Sequence, residues 1–259
     1  MRIGVTGAAG QMGRAVIQAV LATPGVELVG VLERADSDAV GSAVAGSALA
    51  IGDRAEPVFE ASDAVIDFSA PAATAGYAEQ AAAAGVALVT GTTGLAFEEQ
   101  AAVQKAAETV CIVQSANFSL GVNLLLALTH KAAQALDENF DIEILELHHN
   151  HKADAPSGTA LALGRAAAEG RNVVLDDVAD RARDGITGAR RPGDIGFASL
   201  RGGTAAGDHT VLFAGPKERI ELTHRAEDRA IFATGAVAAA QWTKGRPAGL
   251  YAMSDVLGI

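Results

Sequence analysis

The segment ELHHNHKADAPSGTA, residues 146–160, concentrates side chains that can transfer protons or hold charge. Three of the chain's six histidines lie within four positions, and Lys152 follows directly. Histidine titrates near neutral pH, and a lysine beside an anionic ligand supplies positive charge and a hydrogen-bond donor. The segment can therefore be a metal site, a proton-transfer site, or a strand end with hydrogen-bonded histidines.

Strand alternation separates these histidines. A strand that continues through His149 places His148 on the face of Glu146 and Ile144, and His149 on the opposite face. Metal ligands must converge at about 2 Å from one point, which adjacent strand residues do not do. Because the chain also lacks an HExxH motif and a nearby cysteine, we expect no metal. Spacing alone leaves proton transfer and an ordinary strand end open.

The turn DAPSGTA favours proton transfer. Asp154 or Ser157 is a candidate cap for a helix that should run to about Glu169. Gly158 and Thr159 would then present backbone N–H groups and a hydroxyl to an anion. A small carboxylate or phosphate beside a proton donor, facing a nicotinamide across a domain cleft, would form a hydride-transfer site.

The glycine-rich segment GAAGQMG points to a dinucleotide. It follows the first candidate strand and opens a helix, where a tight turn and free N–H groups suit a pyrophosphate. The next strand ends in Glu33, 20 residues after Gly13, where a carboxylate can accept hydrogen bonds from the adenosine ribose. Arg34 can pair with the 2′-phosphate of NADP or be a solvated residue, so NADH, NADPH or both remain possible cofactors. The candidate contacts in the loop are Gly7, Ala8, Ala9, Gly10, Gln11 and Met12.

Two further segments follow candidate strands of the first half: GTTG at 91–94 and SANFS at 115–119. The carboxyl ends of parallel strands are where ligands bind in open α/β sheets. Both segments offer small residues and exposed backbone that could line a nicotinamide and its ribose, although either alone is equally typical of a loop.

These residues must be positioned by helices and strands, and the predicted pattern of these elements changes near Leu120. Before it, strands at 2–6, 26–32, 64–67, 87–90 and 110–114 alternate with helices at 10–22, 72–84 and 97–108, which predicts a parallel sheet. After it, a helix at 122–136 leads into FDIEILEL, where apolar and acidic residues alternate with period two as far as Leu145, as in a sheet with one face buried and one in water. A helix near 157–169, an irregular surface stretch at 172–194, strands at 195–201, 209–214 and 219–223, and a helix at 229–242 follow.

The predicted fold class is thus α/β: a Rossmann-type doubly wound parallel sheet with a second α+β domain built on a mixed or antiparallel sheet. Residues 1–119 plus 229–259 form the predicted dinucleotide-binding domain. Residues 120–228 form the predicted substrate-binding and oligomerisation domain. The last helix is apolar, and we expect it to pack against the first domain.

Composition limits the partners. The net charge of −11 disfavours nucleic acid and anionic membranes, so an anionic ligand needs local positive charge. The only cysteine, Cys111, lies in an apolar run and is best read as a buried hydrophobe. The chain shows neither a signal-peptide pattern nor a run of 18 apolar residues, which predicts a cytoplasmic protein.

The run EILELHHNHKADAPSGTA, residues 143–160, resembles the signature of the dihydrodipicolinate reductase family of bacterial lysine biosynthesis. GAAGQMGR, the pair ER at 33–34, GTTG, SANFSLGVN and RGGTAAGDHTV resemble further family segments in the same order, so the similarity covers essentially the whole chain.

The resemblance implies NAD(P)H-dependent reduction of a cyclic imine dicarboxylate, with loss of water, by a homotetramer. It implies that His148 donates and accepts protons and that Lys152 is a second proton donor. It also implies that His149, Gly158 and Thr159 bind the substrate. The implied cofactor contacts are the glycine loop, Glu33, Arg34, Gly91, Thr92, Thr93, Ser115, Ala116, Asn117 and Phe118. The rival functions are a different two-domain dehydrogenase and a non-catalytic dinucleotide sensor.

Overall fold

All 259 residues are described by a computed structural model. The chain divides into two compact units: unit 1 comprises 1–120 and 230–258, and unit 2 comprises 121–229 with Ile259. In chain order the elements are β1 (Arg2–Thr6), α1 (Gln11–Ala22), β2 (Glu27–Leu32), α2 (Ala55–Ala61), β3 (Ala64–Asp67), α3 (Pro71–Ala84), β4 (Ala87–Thr90), α4 (Phe97–Ala107), β5 (Cys111–Gln114), α5 (Leu120–Ala135), β6 (Asp141–His148), α6 (Gly158–Gly170), α7 (Leu175–Val178), β7 (Ala179–Asp180), β8 (Ile195–Arg201), β9 (Gly207–Ala214), β10 (Arg219–Ala226), α8 (Ala230–Trp242), β11 (Gly249–Tyr251) and α9 (Met253–Leu257).

Unit 1 is a six-stranded parallel sheet in the order β11-β5-β4-β3-β1-β2. Its central strands are buried on both faces, which is why they consist of continuous aliphatic runs. One core lies between the sheet and helices α1 and α8, and the other includes side chains of α2, α3 and α4. The chain leaves β1 in one direction and β3 in the other, so the topological switch point lies between these two strands.

Unit 2 contains a five-stranded mixed sheet in the order β10-β9-β6-β8-β7. Strand β6 pairs antiparallel with β9 and parallel with β8. Apolar side chains of α5 and α6 pack against Ile142, Ile144, Val211 and Phe213 on one face of this sheet. The predicted fold class, a doubly wound parallel sheet followed by a mixed sheet, is confirmed.

The structure differs from the sequence-based expectations for this region and its neighbours in three respects. Strand β6 runs on to His148 past the break in residue type at Leu145, so burial keeps its period of two and Leu145 lies on the open face, 38% exposed. The stretch 172–194 is not wholly irregular, since it contains α7 and β7. Arg183 and Arg190 also tie it to Glu143 at 2.8 and 2.9 Å. Helices α2 and α9 and strand β11 were not predicted.

The expectations for Cys111 and for the helix at 229–242 are confirmed. Cys111 is buried, and burial raises the pKa of its thiol to about 11, so it behaves as a small apolar residue. Helix α8 contributes Ala233, Ala236 and Val237 to the core of unit 1. None of the helices is both long enough and apolar enough to span a membrane.

Candidate functional site

The glycine loop of unit 1 connects β1 to α1, and its first and last glycines, Gly7 and Gly13, pack closely against each other. Gly7 has a φ of +67°, and a Cβ on Gly13 would lie 2.0 Å from the Gly7 carbonyl oxygen. Neither position therefore admits a side chain. Gln11 and Met12 form the first turn of α1, where N–H groups have no intrahelical acceptor. Close backbone approach and free N–H groups are what a pyrophosphate requires, so these residues fit a dinucleotide.

Other loop amides are already bonded within the unit. The buried Ala8 donates its N–H to a carbonyl at the end of β2 (3.1 Å), and Ala9 donates to Oε2 of Glu33 (2.8 Å). Glu33 also accepts the N–H of Arg34 at 3.1 Å, so its carboxylate is fixed beside the loop. The Arg34 side chain is exposed and lies 3.3 Å from Asp36. The carboxylate thus lies next to the loop, while the guanidinium is paired in solvent.

Asp67, at the carboxyl end of β3, was missed by the sequence analysis. It is fully buried, and it ties the ends of β1, β3 and β4 to the start of α3. The polar residue that ends the apolar run AVID could have revealed it. Its carboxylate accepts hydrogen bonds from the hydroxyls of Thr6 (2.7 Å), Ser69 (2.5 Å), Thr74 (2.6 Å), Thr90 (3.0 Å) and Thr92 (3.2 Å).

A cavity of about 430 Å³ brings the two predicted loop segments of unit 1 together; its lining includes Thr92, Thr93, Ser115 and Ala116. Gly91 lies against the Phe68 ring, since a Cβ on Gly91 would come within 2.1 Å of that ring.

The second loop segment is shaped by its own hydrogen bonds. The Ser115 hydroxyl donates to the Asn117 carbonyl at 2.8 Å, and the Ser119 N–H donates to the Asn117 side chain at 2.8 Å. Phe118 is 1% exposed, and its ring packs edge-on against Phe68 with centroids 5.6 Å apart. Its side chain is therefore a core residue, and its carbonyl oxygen packs against α8, where a Cβ on Gly235 would lie 1.8 Å from it.

Strand β6 gives unit 2 its polar site. Ile142, Ile144, Glu146 and His148 all face the buried side of the sheet, as the alternation predicts. The first two are in the apolar core, and the last two continue the same row as a glutamate–histidine pair. His149 follows the end of the strand, and its backbone N–H donates to the Ala205 carbonyl at 2.9 Å.

Glu146 is held by an arginine from the neighbouring strand β8. Both terminal nitrogens of Arg201 donate to the carboxylate at 2.8 Å, one to each oxygen, and the N–H of Ser157 donates to Oε1 at 3.2 Å. Burial raises the pKa of Glu146, but hydrogen bonds from Arg201, His148 and Ser199 outweigh burial and hold the pKa at about 2. The glutamate is therefore a buried anion at neutral pH.

His148 is oriented by that anion. Its Nδ1 lies 2.5 Å from Glu146 Oε2, so Nδ1–H is the donor and Nε2 is the atom left for proton exchange. Gly207 keeps the space around Nε2 open, because a Cβ there would lie 2.9 Å from it. The ring is only 8% exposed, so it is largely shielded from water.

His209 on β9 lies beside this pair and was not singled out in the sequence. It is 4% exposed, its ring centroid lies 5.1 Å from that of His148, and its Nε2 lies 3.1 Å from Ser157 Oγ. Burial, and then the charge of His148, lower the pKa of His209 to about 4, so the ring is neutral. Ser157 is the N-cap of α6 and accepts the Ala160 N–H at 3.2 Å. Of the two predicted caps, Ser157 is correct and Asp154 is wrong.

Gly158 and Thr159 form the first turn of α6. The space where a Gly158 Cβ would project is open to at least 4 Å, so its backbone can be approached. The bond between the Ser157 N–H and Glu146 links this helix start to the pair on β6. The predicted anion cradle and the predicted proton donor His148 thus belong to one hydrogen-bonded network.

Lys152 lies on the turn between β6 and α6. Its Nζ donates to Asp154 Oδ1 at 2.7 Å, and its side chain is 21% exposed. The Asp154 carbonyl in turn accepts a hydrogen bond from Arg201 at 2.6 Å, so the turn is fastened to the same arginine that holds Glu146.

The His149 side chain belongs to a different surface. Its Nε2 lies 3.2 Å from Arg229 Nη2, and both residues line an open depression of about 760 Å³ together with His151. Desolvation, and then the positive charge of Arg229, lower the pKa of His149. The three histidines of the opening segment are therefore not one cluster, and Arg229 is a further cation that the sequence analysis did not select.

Comparison with known proteins gives consistent matches along the chain. The family model described as "Dihydrodipicolinate reductase, N-terminus" matches residues 1–118, and "Dihydrodipicolinate reductase, C-terminus" matches 121–257. The 4-hydroxy-tetrahydrodipicolinate reductase of Ruegeria pomeroyi is 56% identical over 98% of this chain and 97% of its own. That of Rhodopseudomonas palustris strain BisB5 is 52% identical over 100% and 98%. A dipicolinate-bound dihydrodipicolinate reductase from Paenisporosarcina shares the fold, with a TM-score of 0.79, 23% identity and 97% coverage of both chains.

Proposed function

Because the chain belongs to the dihydrodipicolinate reductase family, we propose that it reduces 4-hydroxy-tetrahydrodipicolinate to tetrahydrodipicolinate in diaminopimelate and lysine biosynthesis. The reaction consumes one NAD(P)H and one proton and releases one water. Unit 1 is proposed to bind the dinucleotide and unit 2 the dicarboxylate substrate.

The single observation that supports this proposal best is the Glu146–His148 pair beside the start of α6. A carboxylate bound at Gly158 and Thr159 would be held by helix N–H groups and the positive end of the helix dipole. His148 would face it with Nε2, since Nδ1 is occupied by Glu146. A dicarboxylate imine requires a group that holds a carboxylate and a group that supplies a proton, and this arrangement offers both.

Proton transfer in unit 2 follows from these contacts. Loss of the C4 hydroxyl as water leaves a conjugated cyclic imine, and NAD(P)H held at the glycine loop of unit 1 would supply the hydride for ring C4. Electron density then moves toward the ring nitrogen side, and a proton from His148 Nε2 or Lys152 Nζ neutralises it. Glu146 stabilises the imidazolium form of His148 by accepting the Nδ1–H.

Lys152 has a second task in this proposal. In the protein alone its ammonium pairs with Asp154, which is exposed. Since exposed pairs contribute little, a substrate carboxylate can replace Asp154 as the partner at small cost. His149, next to Arg229, is proposed to contact the substrate from the other side of the strand.

For the cofactor we propose that both NADH and NADPH are used. The fixed carboxylate of Glu33 beside the loop suits the free 2′-hydroxyl of NADH. Arg34, exposed and paired only with Asp36, can turn to a 2′-phosphate. The remaining proposed contacts are the amides of Gln11 and Met12 and the residues of 91–93 and 115–118, of which Thr92, Thr93, Ser115 and Ala116 line the cavity of unit 1.

The test follows the absorbance of NAD(P)H with and without the cyclic imine. We expect oxidation only when the imine is present, and a large fall in kcat for His148→Gln with little change in KM for NADH. Lys152→Ala should raise the KM for the imine and lower kcat. His151→Gln is the matched control and should behave like the wild-type chain.

The same assay separates the alternatives. Oxidation with another carbonyl compound but not with the imine would indicate a different dehydrogenase, and binding of NADH without turnover would indicate a sensor. Unchanged kcat in His148→Gln would remove this residue from the proton-transfer role.

We also propose a homotetramer that associates through the open face of the unit 2 sheet. Leu145 and Leu200 support it, because both are large apolar side chains that this face leaves 38% and 53% exposed. Analytical ultracentrifugation should give a mass four times the 26.2 kDa of one chain, and Leu200→Glu should reduce it. A cytoplasmic location likewise stays a prediction.

A further inference from the structure

His209 has an unusual hydrogen-bond inventory for a buried histidine. Its Nε2 lies 3.1 Å from Ser157 Oγ, while its Nδ1 is buried and has no hydrogen-bond partner. It lies directly opposite Glu146 in the antiparallel pairing of β6 and β9. His209 has no part in the proposed proton transfer, so its buried and unpaired Nδ1 requires another explanation.

The missing partner of Nδ1 decides the tautomer. With the hydrogen on Nδ1, the protein would bury an N–H group without an acceptor, which costs about 1–3 kcal/mol. With the hydrogen on Nε2, Nδ1 keeps only a lone pair, and the hydrogen is donated to Ser157 Oγ. Unpaired buried acceptors are better tolerated than unpaired donors, so the Nε2–H form is favoured.

This tautomer determines what the Ser157 hydroxyl can do. Ser157 Oγ already accepts the Ala160 N–H as the helix cap. If it also accepts His209 Nε2–H, both of its lone pairs are occupied, and its own hydrogen must point elsewhere. In the other tautomer the hydroxyl would donate to His209 and would have no hydrogen left for a ligand.

We propose that His209 is a positioning residue that donates Nε2–H to Ser157 and thereby directs the serine hydroxyl hydrogen to a substrate carboxylate at the start of α6. This inference rests on the proposed function, in which Gly158 and Thr159 hold that carboxylate. It adds a third, neutral donor to the two backbone groups and makes the site selective for an acceptor-only group.

The experiment measures binding of pyridine-2,6-dicarboxylate, a stable planar dicarboxylate, and steady-state kinetics with the cyclic imine. The variants are His209→Phe, which keeps a ring and loses the donor, and His209→Gln, which keeps an N–H near the position of Nε2. Ser157→Gly removes the hydroxyl while glycine still serves as an N-cap. Each is measured alone, and His209→Phe is also combined with Ser157→Gly.

We expect His209→Phe to raise the Kd of the dicarboxylate and the KM of the imine about 10-fold, at the low end of the loss for a hydrogen bond to a charged group, because the serine hydroxyl is misdirected and not removed. The KM for NADH should stay unchanged, and His209→Gln should recover most of the affinity. In the Ser157→Gly background His209→Phe should cause no further loss, because the residue acts only through that hydroxyl.

Losses that add in the double variant, or wild-type affinity in His209→Phe, would overturn the positioning role while leaving the proposed function intact. A wild-type chain that neither binds the dicarboxylate nor turns over the imine would overturn both. If His209→Phe does not fold, ¹⁵N NMR of histidine-labelled wild-type protein reads the tautomer directly. A hydrogen on Nε2 supports the proposal, and a hydrogen on Nδ1 refutes it.

Discussion

Replacing Glu146 by glutamine is the sharpest perturbation of the unit 2 site, because the two side chains have the same shape and differ in charge. Besides Ser199, four donors bond the two carboxylate oxygens: Oε1 accepts from Arg201 Nη2 and the Ser157 N–H, and Oε2 accepts from Arg201 Nη1 and His148 Nδ1. A glutamine has only one oxygen. Whichever way the amide is turned, its NH₂ group faces at least one donor of Arg201.

The orientation of the amide decides the chemistry of His148. With the NH₂ toward His148, the amide donates to Nδ1, and the ring hydrogen must move to Nε2, where it prevents proton uptake. With the oxygen toward His148, the tautomer survives, but the imidazolium form loses its anionic partner. In both cases the 2.5 Å contact no longer joins the histidine to a carboxylate, so its charge assistance is lost.

Such bonds contribute about 1.5–3 kcal/mol. Since about 1.4 kcal/mol corresponds to a factor of 10 in rate, Glu146→Gln should lower kcat about 10- to 150-fold. The KM for NADH should not change, because the proposed cofactor contacts all belong to unit 1.

Glu143→Gln is the matched control. Glu143 lies on the same strand but faces the other side, and it pairs with Arg183 and Arg190. Its substitution also removes a carboxylate charge that is paired with arginines, but Glu143 does not contact His148. Stopped-flow NADH oxidation at saturating imine gives kcat, and circular dichroism checks that each variant is folded. A Glu146→Gln enzyme within twofold of the wild-type kcat, or an equal loss in folded Glu143→Gln, would refute the role given to this carboxylate.

Three further predictions concern other contacts. Gly207→Ala should displace the His148 ring, since the new Cβ would lie 2.9 Å from Nε2, and we expect kcat to fall about 10- to 100-fold with an unchanged KM for NADH. Arg34→Ala should lower kcat/KM for NADPH about 10-fold and leave the value for NADH within twofold, and an equal loss with both cofactors would contradict this. Because the folded pKa of His209 lies at about 4, below the ordinary 6.5, its stability contribution is complete above pH 6.5 and is lost as the pH falls toward 4. Between pH 8 and 5 this amounts to about 2 kcal/mol, so urea unfolding of His209→Gln should depend less on pH by that amount, and equal pH dependence would refute it.

The sequence predicted the parallel sheet well because its strands are buried on both faces. Strands β1, β3 and β4 were predicted at their observed bounds, because short aliphatic runs such as AVID and ALVT are typical of strands that are buried on both faces. The missed elements are short. Helix α2 has seven residues, one of them a proline, and β11 has three. Neither is long enough to show a helical or strand period, and both are specified by packing in the folded unit.

For the site, alternation along β6 predicted that His148 and Glu146 share a face, because this property belongs to one strand. Arg201 and His209 could not be found in the same way. They lie on β8 and β9, 55 residues from Glu146 and 52 residues from Ser157 respectively, and they enter the site only through strand pairing. Register between strands is a tertiary property, and a single sequence without its pairing partners does not contain it.

Charge explains why the site has this composition. The chain carries a net charge of −11, so its overall field repels a dicarboxylate substrate. Binding must therefore depend on short-range positive groups, and unit 2 supplies Lys152, Arg229 and the start of α6. Arg201 is not available for this purpose, because Glu146 already accepts both of its terminal nitrogens. The charges of Glu146 and Arg201 instead cancel each other. Glu146 can therefore stabilise protonated His148 without repelling the substrate.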